Sequence, residues 1–287
     1  MTEREEKTQA LINISNEIGS NKAYIQGGGG NTSVKLDKNL MLIKSSGTSL
    51  KDMSKNYGQC VVEYQKVNEF LNKSNVSEIK FTSLIKSFCL DEESRPSIET
   101  GFHSLLGEYV IHTHSVFLNV LLCCKEGKKI IKELFPSSIW VNYETPGKNL
   151  THLLNRRLKN TKRSLKKDLT VFLQNHGLIV SSVSESRSLR LHEEINKQVI
   201  DFLNLKNFKI DDEIKEIDKK VLFPDQVVYL DKEKEFLSEA AVETFSAYSY
   251  IINEITDLGF TPNFLPETEV RTLKNLESEK YRKSLVK

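Results

Sequence analysis

The ten residues 109–118, YVIHTHSVFL, decide which fold the chain adopts. They form an apolar run that is broken by two histidines, His112 and His114, with one residue between them. On a helix, positions i and i+2 lie about 200° apart around the axis and point away from each other. On a strand they share one face, about 6.5–7 Å apart at Cα. Because Tyr-Val-Ile favours β-structure, the stretch predicts a strand that presents two imidazoles side by side.

Two imidazoles at this spacing can bind one metal ion, with Zn–N bonds of about 2.0–2.1 Å. The spacing alone is equally compatible with a polar strand end whose histidines are satisfied by their neighbours. A third candidate, His176 in QNHGLIV, precedes a glycine that lets the backbone bend sharply under a ligand. Three imidazoles would leave one position open on zinc, as catalytic sites do. The remaining histidines are predicted to be structural: His103 on a helix, His152 on an amphipathic helix and His192 on a charged helix face.

Composition indicates a globular protein of one large or two small domains. The chain has 287 residues, of which 28% are charged and 38% hydrophobic. A net charge of +2 does not indicate nucleic-acid binding. The basic run 156–167 is interpreted as a solvated helix end and loop. The four cysteines lack CxxC spacing, which predicts reduced thiols. With a charged N-terminus and no apolar run of membrane-spanning length, we expect a cytoplasmic protein without a membrane partner.

Helical and extended patterns alternate along the chain. Helices are predicted over 4–19, 97–107, 116–124, 182–205 and near 234–254, with a charged helix at the C-terminus. Strands are predicted within 26–36, 39–50 and 109–114. Residues 138–158 are predicted to form a strand, then a turn at Pro146-Gly147, then a helix. Residues 61–73 fit a strand or a helix, and 169–182 fit two strands joined by a tight Asn-His-Gly turn. The alternation indicates an α/β protein with three layers.

Two further features can carry chemistry. The glycines 27–30, with Asn31-Thr32-Ser33 after them, can expose several backbone N–H groups to one anion, and residues 45–48 (SSGT) offer hydroxyls and another N–H. Neither loop fits GxxxxGK[ST] or GxGxxG, so a nucleotide-binding fold is not indicated, and four glycines also fit a flexible loop. Glu99 stands thirteen residues before His112. It can act as a general base or simply favour a helix start.

In this order, GGGGNTS, SSGTS, RPSIET…HTH and QNHG resemble the motifs of the class II aldolase/adducin family, over about residues 5–205. That family includes fuculose-phosphate and rhamnulose-phosphate aldolases and ribulose-phosphate 4-epimerase. The resemblance implies an α/β/α sandwich around a mixed or antiparallel sheet, in a domain over 1–220 with a helical extension over 221–287 packed on it. The C-terminal stretch is similar to a subgroup fused to a short-chain dehydrogenase. Since the chain has no GxGxxG, dehydrogenase activity is not implied.

The resemblance also implies roles for particular residues. His112, His114 and His176 would bind Zn²⁺ or another divalent transition metal, and Glu99 would be the general base. A substrate phosphate would be held by Gly30, Asn31, Ser46, Gly47 and Ser97. Tyr143 matches a tyrosine that reaches a neighbouring subunit's site and helps protonate the leaving aldehyde oxygen. We therefore expect a homo-oligomer, a tetramer, that acts on a sugar or sugar phosphate.

The expected reaction is retro-aldol cleavage of a phosphorylated ketose through a metal-stabilised enediolate. Three alternatives use the same scaffold: a sugar-phosphate epimerase, a dehydratase or decarboxylase, and a non-catalytic adducin-like binding protein. The 4-epimerase has aspartate where this chain has Glu99, which favours the aldolase. Adducin-like members have lost the metal ligands, whereas all three histidines are present here. Neither the sugar nor the native metal follows from the sequence.

Overall fold

The computed structural model of the chain describes residues 2–73, 77–161, 167–211, 220–230 and 238–276. The strands within these ranges are β1 (Asn31–Lys35), β2 (Leu40–Lys44), β3 (Gln59–Glu63), β4 (Tyr109–Thr113), β5 (Ile139–Val141), β6 (Leu169–Leu173) and β7 (Gly177–Ser182). The α-helices are α1 (Glu3–Ser20), α2 (Tyr64–Lys73), α3 (Glu78–Ser87), α4 (Thr100–Ser104), α5 (Val116–Leu122), α6 (Gly127–Leu134), α7 (Lys148–Thr161), α8 (Glu185–Leu203), α9 (Pro224–Tyr229), α10 (Glu239–Asp257) and α11 (Glu267–Asn275).

The strands form one seven-stranded sheet in the order β3-β2-β1-β4-β7-β6-β5. Neighbouring strands are antiparallel except for the parallel pair β5 and β6. This confirms the predicted α/β class with a mixed sheet. Strand β4, which carries the first histidine, lies at the centre between β1 and β7, so its side chains are covered on both faces.

Side chains of β4 alternate between two hydrophobic cores. Ile111 joins the core that includes residues of α1, α5 and α8, whereas Val110 packs with Phe102 of α4 and Leu150 of α7. A strand that is buried on both faces needs a continuous apolar run rather than a polar alternation. The apolar run around the histidines therefore follows from the central place of β4 in the sheet.

The predicted Asn-His-Gly turn between β6 and β7 is confirmed. Asn175 has a φ of 54°, in the left-handed region that asparagine tolerates better than most residues. At Gly177, a Cβ atom would lie 2.1 Å from the carbonyl oxygen of Thr113, so no other residue allows the turn to approach the end of β4 this closely. The turn consequently brings His176 beside the two histidines of the central strand.

Several sequence predictions are refined by the structure. Residues 61–73, which fitted a strand or a helix, contain the end of β3 followed by α2. The helix predicted over 97–107 is only the five-residue α4. Helices α3, α6 and α9 were missed because each is short, with 6 to 10 residues. Parts of the basic run and of the charged C-terminal helix, residues 162–166 and 277–287, lie outside the described residues.

The C-terminal part packs on the sheet domain. Four apolar residues of α10 belong to the same core as α5 and α8: Ala247, Tyr248, Ile251 and Ile255. On this packing we propose that 221–287 is an extension of the domain over 1–220. No helix among the described ranges has the length and apolar character needed to cross a membrane.

Candidate metal centre

Three histidines that are distant in sequence meet in one buried group. His112 lies near the end of β4, His114 follows that strand, and His176 lies in the β6–β7 turn. Each pair of imidazole rings has a centroid separation of 4.9 Å, and one ligand atom from each ring lies within 4.8 Å of the others. All three side chains are buried. The structure therefore brings the three predicted ligands together.

Hydrogen bonds fix the tautomers of two of these rings. Nδ1 of His112 lies 2.9 Å from the carbonyl oxygen of Leu178, and Nδ1 of His114 lies 2.6 Å from Oδ2 of Asp225. Both partners are acceptors, so each Nδ1 carries a proton, and in the neutral form of each ring the lone pair lies on Nε2. The two Nε2 atoms face each other at 3.1 Å. Two nitrogens bound to one tetrahedral zinc, each at about 2.0–2.1 Å, stand about 3.3 Å apart, so the donors fit a divalent ion between them.

Glu99 faces the same group from the start of α4. Its Oε2 lies 3.4 Å from Nε2 of His112, and its Oε1 lies 3.3 Å from Nε2 of His176. Asn31 donates a hydrogen bond to Oε2 at 2.6 Å, whereas Oε1 accepts none from the described residues. A buried carboxylate oxygen without a hydrogen bond is costly unless a cation or a substrate proton meets it. This open oxygen also fits a site that holds a divalent ion.

Burial determines the protonation of the site. It lowers the pKa of His112 to about 4 and that of His176 to about 3, so both rings are neutral at pH 7 and can bind a metal. For Glu99, burial raises the pKa, but the positive charge that the facing rings of His112, His176 and His114 carry when they are protonated in acid, together with the amide of Asn31, lowers it by more. The Glu99 pKa therefore lies below its ordinary value, and the group is a carboxylate at neutral pH.

The orientation of Asn31 is set by His103. Nδ1 of His103 lies 2.7 Å from Oγ of Ser33, and its Nε2 faces Oδ1 of Asn31. With the Ser33 hydroxyl donating to Nδ1 and Nε2–H donating to Oδ1, the NH₂ group of Asn31 is left pointing at Glu99. Burial lowers the pKa of His103 to about 3, so the ring is neutral. His103 thus fixes the orientation of the Asn31 amide, which in turn contacts Glu99.

The predicted position of His192 on a charged helix face is wrong. The ring is buried on the inner face of α8, with Nε2 2.9 Å from Oγ1 of Thr113 and its edge against Tyr24. The charged neighbours of His192 in sequence occupy the outer face of the same helix, and they dominate the local pattern. His152 lies half-buried on α7, as an amphipathic helix predicts.

The glycine loop uses most of its N–H groups within the chain. Gly27 N–H donates to Oε2 of Glu243 at 2.6 Å, and Gly28 N–H donates to the Tyr229 hydroxyl at 3.0 Å. Gly29 N–H donates to the carbonyl of Gln26 at 3.0 Å. These three groups are therefore already occupied, and the expected anion nest is not formed by them. At Gly30, φ is 63° and a Cβ would lie 2.7 Å from the His112 carbonyl oxygen, so the loop passes directly over β4.

A cavity of about 40 Å³ opens beside the histidines and Glu99. All five residues that the resemblance assigns to a substrate phosphate line it: Gly30, Asn31, Ser46, Gly47 and Ser97. Lys44, at the end of β2, also lines the cavity. Its side chain is buried, and its Nζ lies 3.3 Å from the carbonyl oxygen of Gly28. Sequence reasoning missed this lysine, because a lysine at a strand end ordinarily points into solvent.

Two further residues are described by their place relative to the cavity. Tyr143 is not among the described residues that line the cavity, and its hydroxyl donates to Oε1 of Glu269 on α11 at 3.1 Å. Asp225, which no motif indicated, lines the cavity and bonds to His114. Its sequence context, LFPDQ, is typical of the first turn of a helix, where an acidic residue is unremarkable.

Comparisons with known proteins agree with this architecture. A curated relative, the uncharacterized oxidoreductase YuxG of Bacillus subtilis (strain 168), is 25% identical over 211 residues, which are 68% of this chain and 30% of the relative. The chain thus spans less than a third of that relative's length.

Two solved structures share the fold. One is the N-terminal class II aldolase domain of a conserved protein from Thermoplasma acidophilum, with a TM-score of 0.59, 20% identity, and coverage of 67% of this chain and 92% of that one. The other is YgbL from Klebsiella pneumoniae, described as a putative aldolase/epimerase/decarboxylase, with a TM-score of 0.50, 20% identity, and coverage of 73% and 93%. The model of the class II aldolase and adducin N-terminal domain matches residues 9–198, and the chain therefore belongs to that family.

Proposed function

We propose that the chain is a zinc-dependent aldolase that cleaves a phosphorylated ketose by retro-aldol chemistry. The observation that carries this proposal is the convergence of three buried imidazoles and one carboxylate oxygen that accepts no hydrogen bond from the described residues, beside a cavity that is also lined by the buried Lys44. Such a group of ionisable side chains is costly to bury unless it binds a ligand. An adducin-like binding protein would have no use for it.

His112, His114 and His176 would hold the ion. When bound, the ion supplies a Lewis acid that polarises the ketose carbonyl and stabilises the negative charge that develops during cleavage. The hydrogen bonds from Nδ1 of His112 and His114 keep both Nε2 atoms available, so the ligands are set by the fold before an ion arrives. Three protein ligands leave coordination positions for a substrate.

Glu99 is the proposed proton carrier. Its Oε2 is fixed by Asn31, while Oε1 lies 3.3 Å from Nε2 of His176 and accepts no hydrogen bond within the described part of the chain. An ionised carboxylate in this position can accept the proton of the hydroxyl beyond the bond that breaks. Cleavage leaves an enediolate of the ketose fragment. Glu99 can then return the proton to the enediolate carbon at which the bond was broken. One residue would then serve both half-reactions.

The substrate phosphate would bind among the side chains that line the cavity. Lys44 would supply a positive charge, and the hydroxyls of Ser46 and Ser97 would supply hydrogen-bond donors, while Asn31, whose amide donates to Glu99, lines the same cavity. Because Gly27, Gly28 and Gly29 use their N–H groups elsewhere, side chains rather than the glycine loop would provide most of the binding energy.

We further propose a closed homo-oligomer, a tetramer, in which Tyr143 acts on the site of a neighbouring subunit. Its hydroxyl would hydrogen-bond the oxygen that becomes the aldehyde oxygen of the leaving fragment, and it would help to protonate that oxygen in the reverse, condensation direction. Tyr143 does not line the described cavity of its own chain, so a catalytic role for it requires a second chain. Its hydroxyl would have to exchange the Glu269 carboxylate for the substrate.

A substrate panel tests the proposal. The zinc-loaded protein is incubated with ketose 1-phosphates, ketose 5-phosphates and free ketoses, and aldehyde release, epimer formation, dehydration and CO₂ release are each scored. We expect aldehyde release from a phosphorylated ketose that disappears in the His176→Ala variant. Epimerisation, dehydration or decarboxylation without aldehyde release would replace the aldolase by that activity on the same scaffold. No turnover of any kind by the metal-loaded protein would contradict the proposal.

A further inference from the structure

We infer that Asp225 is a positioning residue of the metal centre, which acts through His114 and makes the C-terminal segment 220–230 part of the site. This inference rests on the proposed function, because it concerns the ion that the histidines would bind. The segment lies outside residues 9–198, which the family model matches. The family domain alone would therefore lack a residue on which this chain's metal affinity depends.

The contact between the two side chains is short and shielded. Oδ2 of Asp225 lies 2.6 Å from Nδ1 of His114, and the residues are 2% and 7% exposed. A carboxylate that accepts the Nδ1 proton of a ligating histidine fixes the tautomer and the plane of the ring, and it makes the other nitrogen a stronger donor to the metal. The second nitrogen, Nε2, is the atom that faces His112.

The fold holds Asp225 in place from two sides. Gln226 accepts hydrogen bonds through Oε1 from the backbone N–H groups of Leu222 and Phe223, at 2.6 and 3.2 Å, which fixes the start of α9. Asn175 donates to the carbonyl of Leu222 at 2.8 Å and so ties this segment to the turn that carries His176. The carboxylate is consequently positioned relative to two of the three ligands.

The glycine loop covers the contact. A Cβ atom on Gly29 would lie 2.7 Å from Oδ2 of Asp225 and 2.8 Å from Nδ1 of His114, so the backbone of the loop packs against both partners. This packing excludes water from the hydrogen bond, and a hydrogen bond in a medium of low dielectric is stronger than one in water. A carboxylate that merely favoured the start of the six-residue helix α9 would not need to face an imidazole.

The test is metal affinity, measured on the full chain after removal of metal with a chelator. Zn²⁺ affinity is determined by competition with a chromophoric chelator, and the visible absorption of the Co²⁺ form reports the coordination geometry. The variants are Asp225→Ala and Asp225→Asn. The matched control is Glu254→Gln, which neutralises another buried carboxylate of the C-terminal part, on α10. Far-ultraviolet circular dichroism of each metal-free variant establishes that it folds.

We expect Asp225→Ala to bind Zn²⁺ about 10–100-fold more weakly and to alter the Co²⁺ spectrum, because loss of such a partner has effects of that size. Asp225→Asn should lose less, since its amide oxygen can still accept the Nδ1 proton. The control should bind like the wild type. If Asp225→Ala does not fold, Asp225→Asn decides the question.

Three results would overturn the inference. Wild-type affinity and an unchanged Co²⁺ spectrum in the folded Asp225 variants would leave Asp225 only a structural role. An equal loss of affinity in Glu254→Gln would show general loosening of the C-terminal part rather than a specific contact. A wild-type chain that binds neither Zn²⁺ nor Co²⁺ would contradict the proposed function itself. That outcome is distinguishable from failure of the Asp225 inference alone, in which the wild type binds and the variants bind equally well.

Discussion

The amide of Asn31 donates a hydrogen bond to Oε2 of Glu99 at 2.6 Å, while Oε1 faces His176 and accepts no hydrogen bond from the residues that the structure describes. A carboxylate with one fixed and one open oxygen is directional, because only one of its oxygens is available to accept a proton. The His103 ring fixes the amide in turn. The hydrogen bonds that orient the proposed base therefore begin at His103, which lies on α4.

Replacing Glu99 by glutamine should separate chemistry from metal binding. Glutamine keeps the size of the side chain but cannot accept a proton, so cleavage should fall by about 10²–10⁴-fold. The ion should remain, because three imidazoles still hold it. The native enzyme should exchange the hydroxymethyl proton of the ketose product with deuterated water, and Glu99→Gln should not. Retained exchange and near-native turnover in a metal-loaded variant would move the base to another residue.

Replacing Lys44 by methionine should weaken the recognition of phosphate. The change removes the charge but keeps a long side chain, and a hydrogen bond to a charged group contributes about 1.5–3 kcal/mol. KM for a phosphorylated ketose should therefore rise by about 10–100-fold, since each 1.4 kcal/mol corresponds to about a factor of ten. The matching free ketose serves as the control, and its KM should hardly change. Equal effects on both substrates would contradict a phosphate role for Lys44.

Complementation tests whether Tyr143 acts between subunits. Tyr143→Phe and Glu99→Gln each inactivate a different half of the proposed shared site, so mixing the two variants after dissociation should restore part of the activity. The control is a double variant with both changes in one chain. Mixed with either single variant, it should restore no activity, because no site would then contain both an intact Glu99 and an intact Tyr143. Light scattering should report a tetramer. An active monomer, or the absence of any restored activity in mixed oligomers, would exclude the shared site.

Burial of His192 should make the protein sensitive to acid. Burial lowers the pKa of His192 from its ordinary 6.5 to about 3, so the unfolded chain binds a proton that the folded chain does not between these values. The stabilising effect is present above pH 6.5 and is lost as the pH falls toward 3. Urea unfolding of the metal-free protein should show a steeper loss of stability below pH 6.5 for the wild type than for His192→Gln. Parallel curves for the two proteins would contradict this assignment.

The sequence predicted the histidine site well because the relevant signals are local. The i, i+2 spacing of His112 and His114 distinguishes a strand from a helix, and Asn175-His176-Gly177 specifies a tight turn by its own backbone preferences. The two local structures then need only the register between β4 and β7 to meet, with His112 opposite Ile179. The three proposed ligands were therefore identified from these local patterns together with the family resemblance.

The contacts that complete the site were not predictable, because they depend on tertiary packing. Asp225 lies 111 residues from His114, and nothing in the Pro-Asp start of a short helix indicates which side chain it will meet. Glu243 and Tyr229 occupy the N–H groups of the glycine loop from more than 200 residues away. His192 was assigned to the wrong face because charged neighbours surround it in sequence, although the helix turns its ring inward.

Metal content measures the central claim most directly. The purified chain, loaded with Zn²⁺ and freed of excess by gel filtration, should contain about one divalent ion per chain. His112→Ala, His114→Ala and His176→Ala should each lose that ion while their far-ultraviolet circular dichroism stays that of the wild type, because each removes one of only three protein ligands. His152→Ala, on the half-buried face of α7, is the control and should keep it. A wild-type chain that remains metal-free after loading, or three alanine variants that retain the ion, would contradict the account.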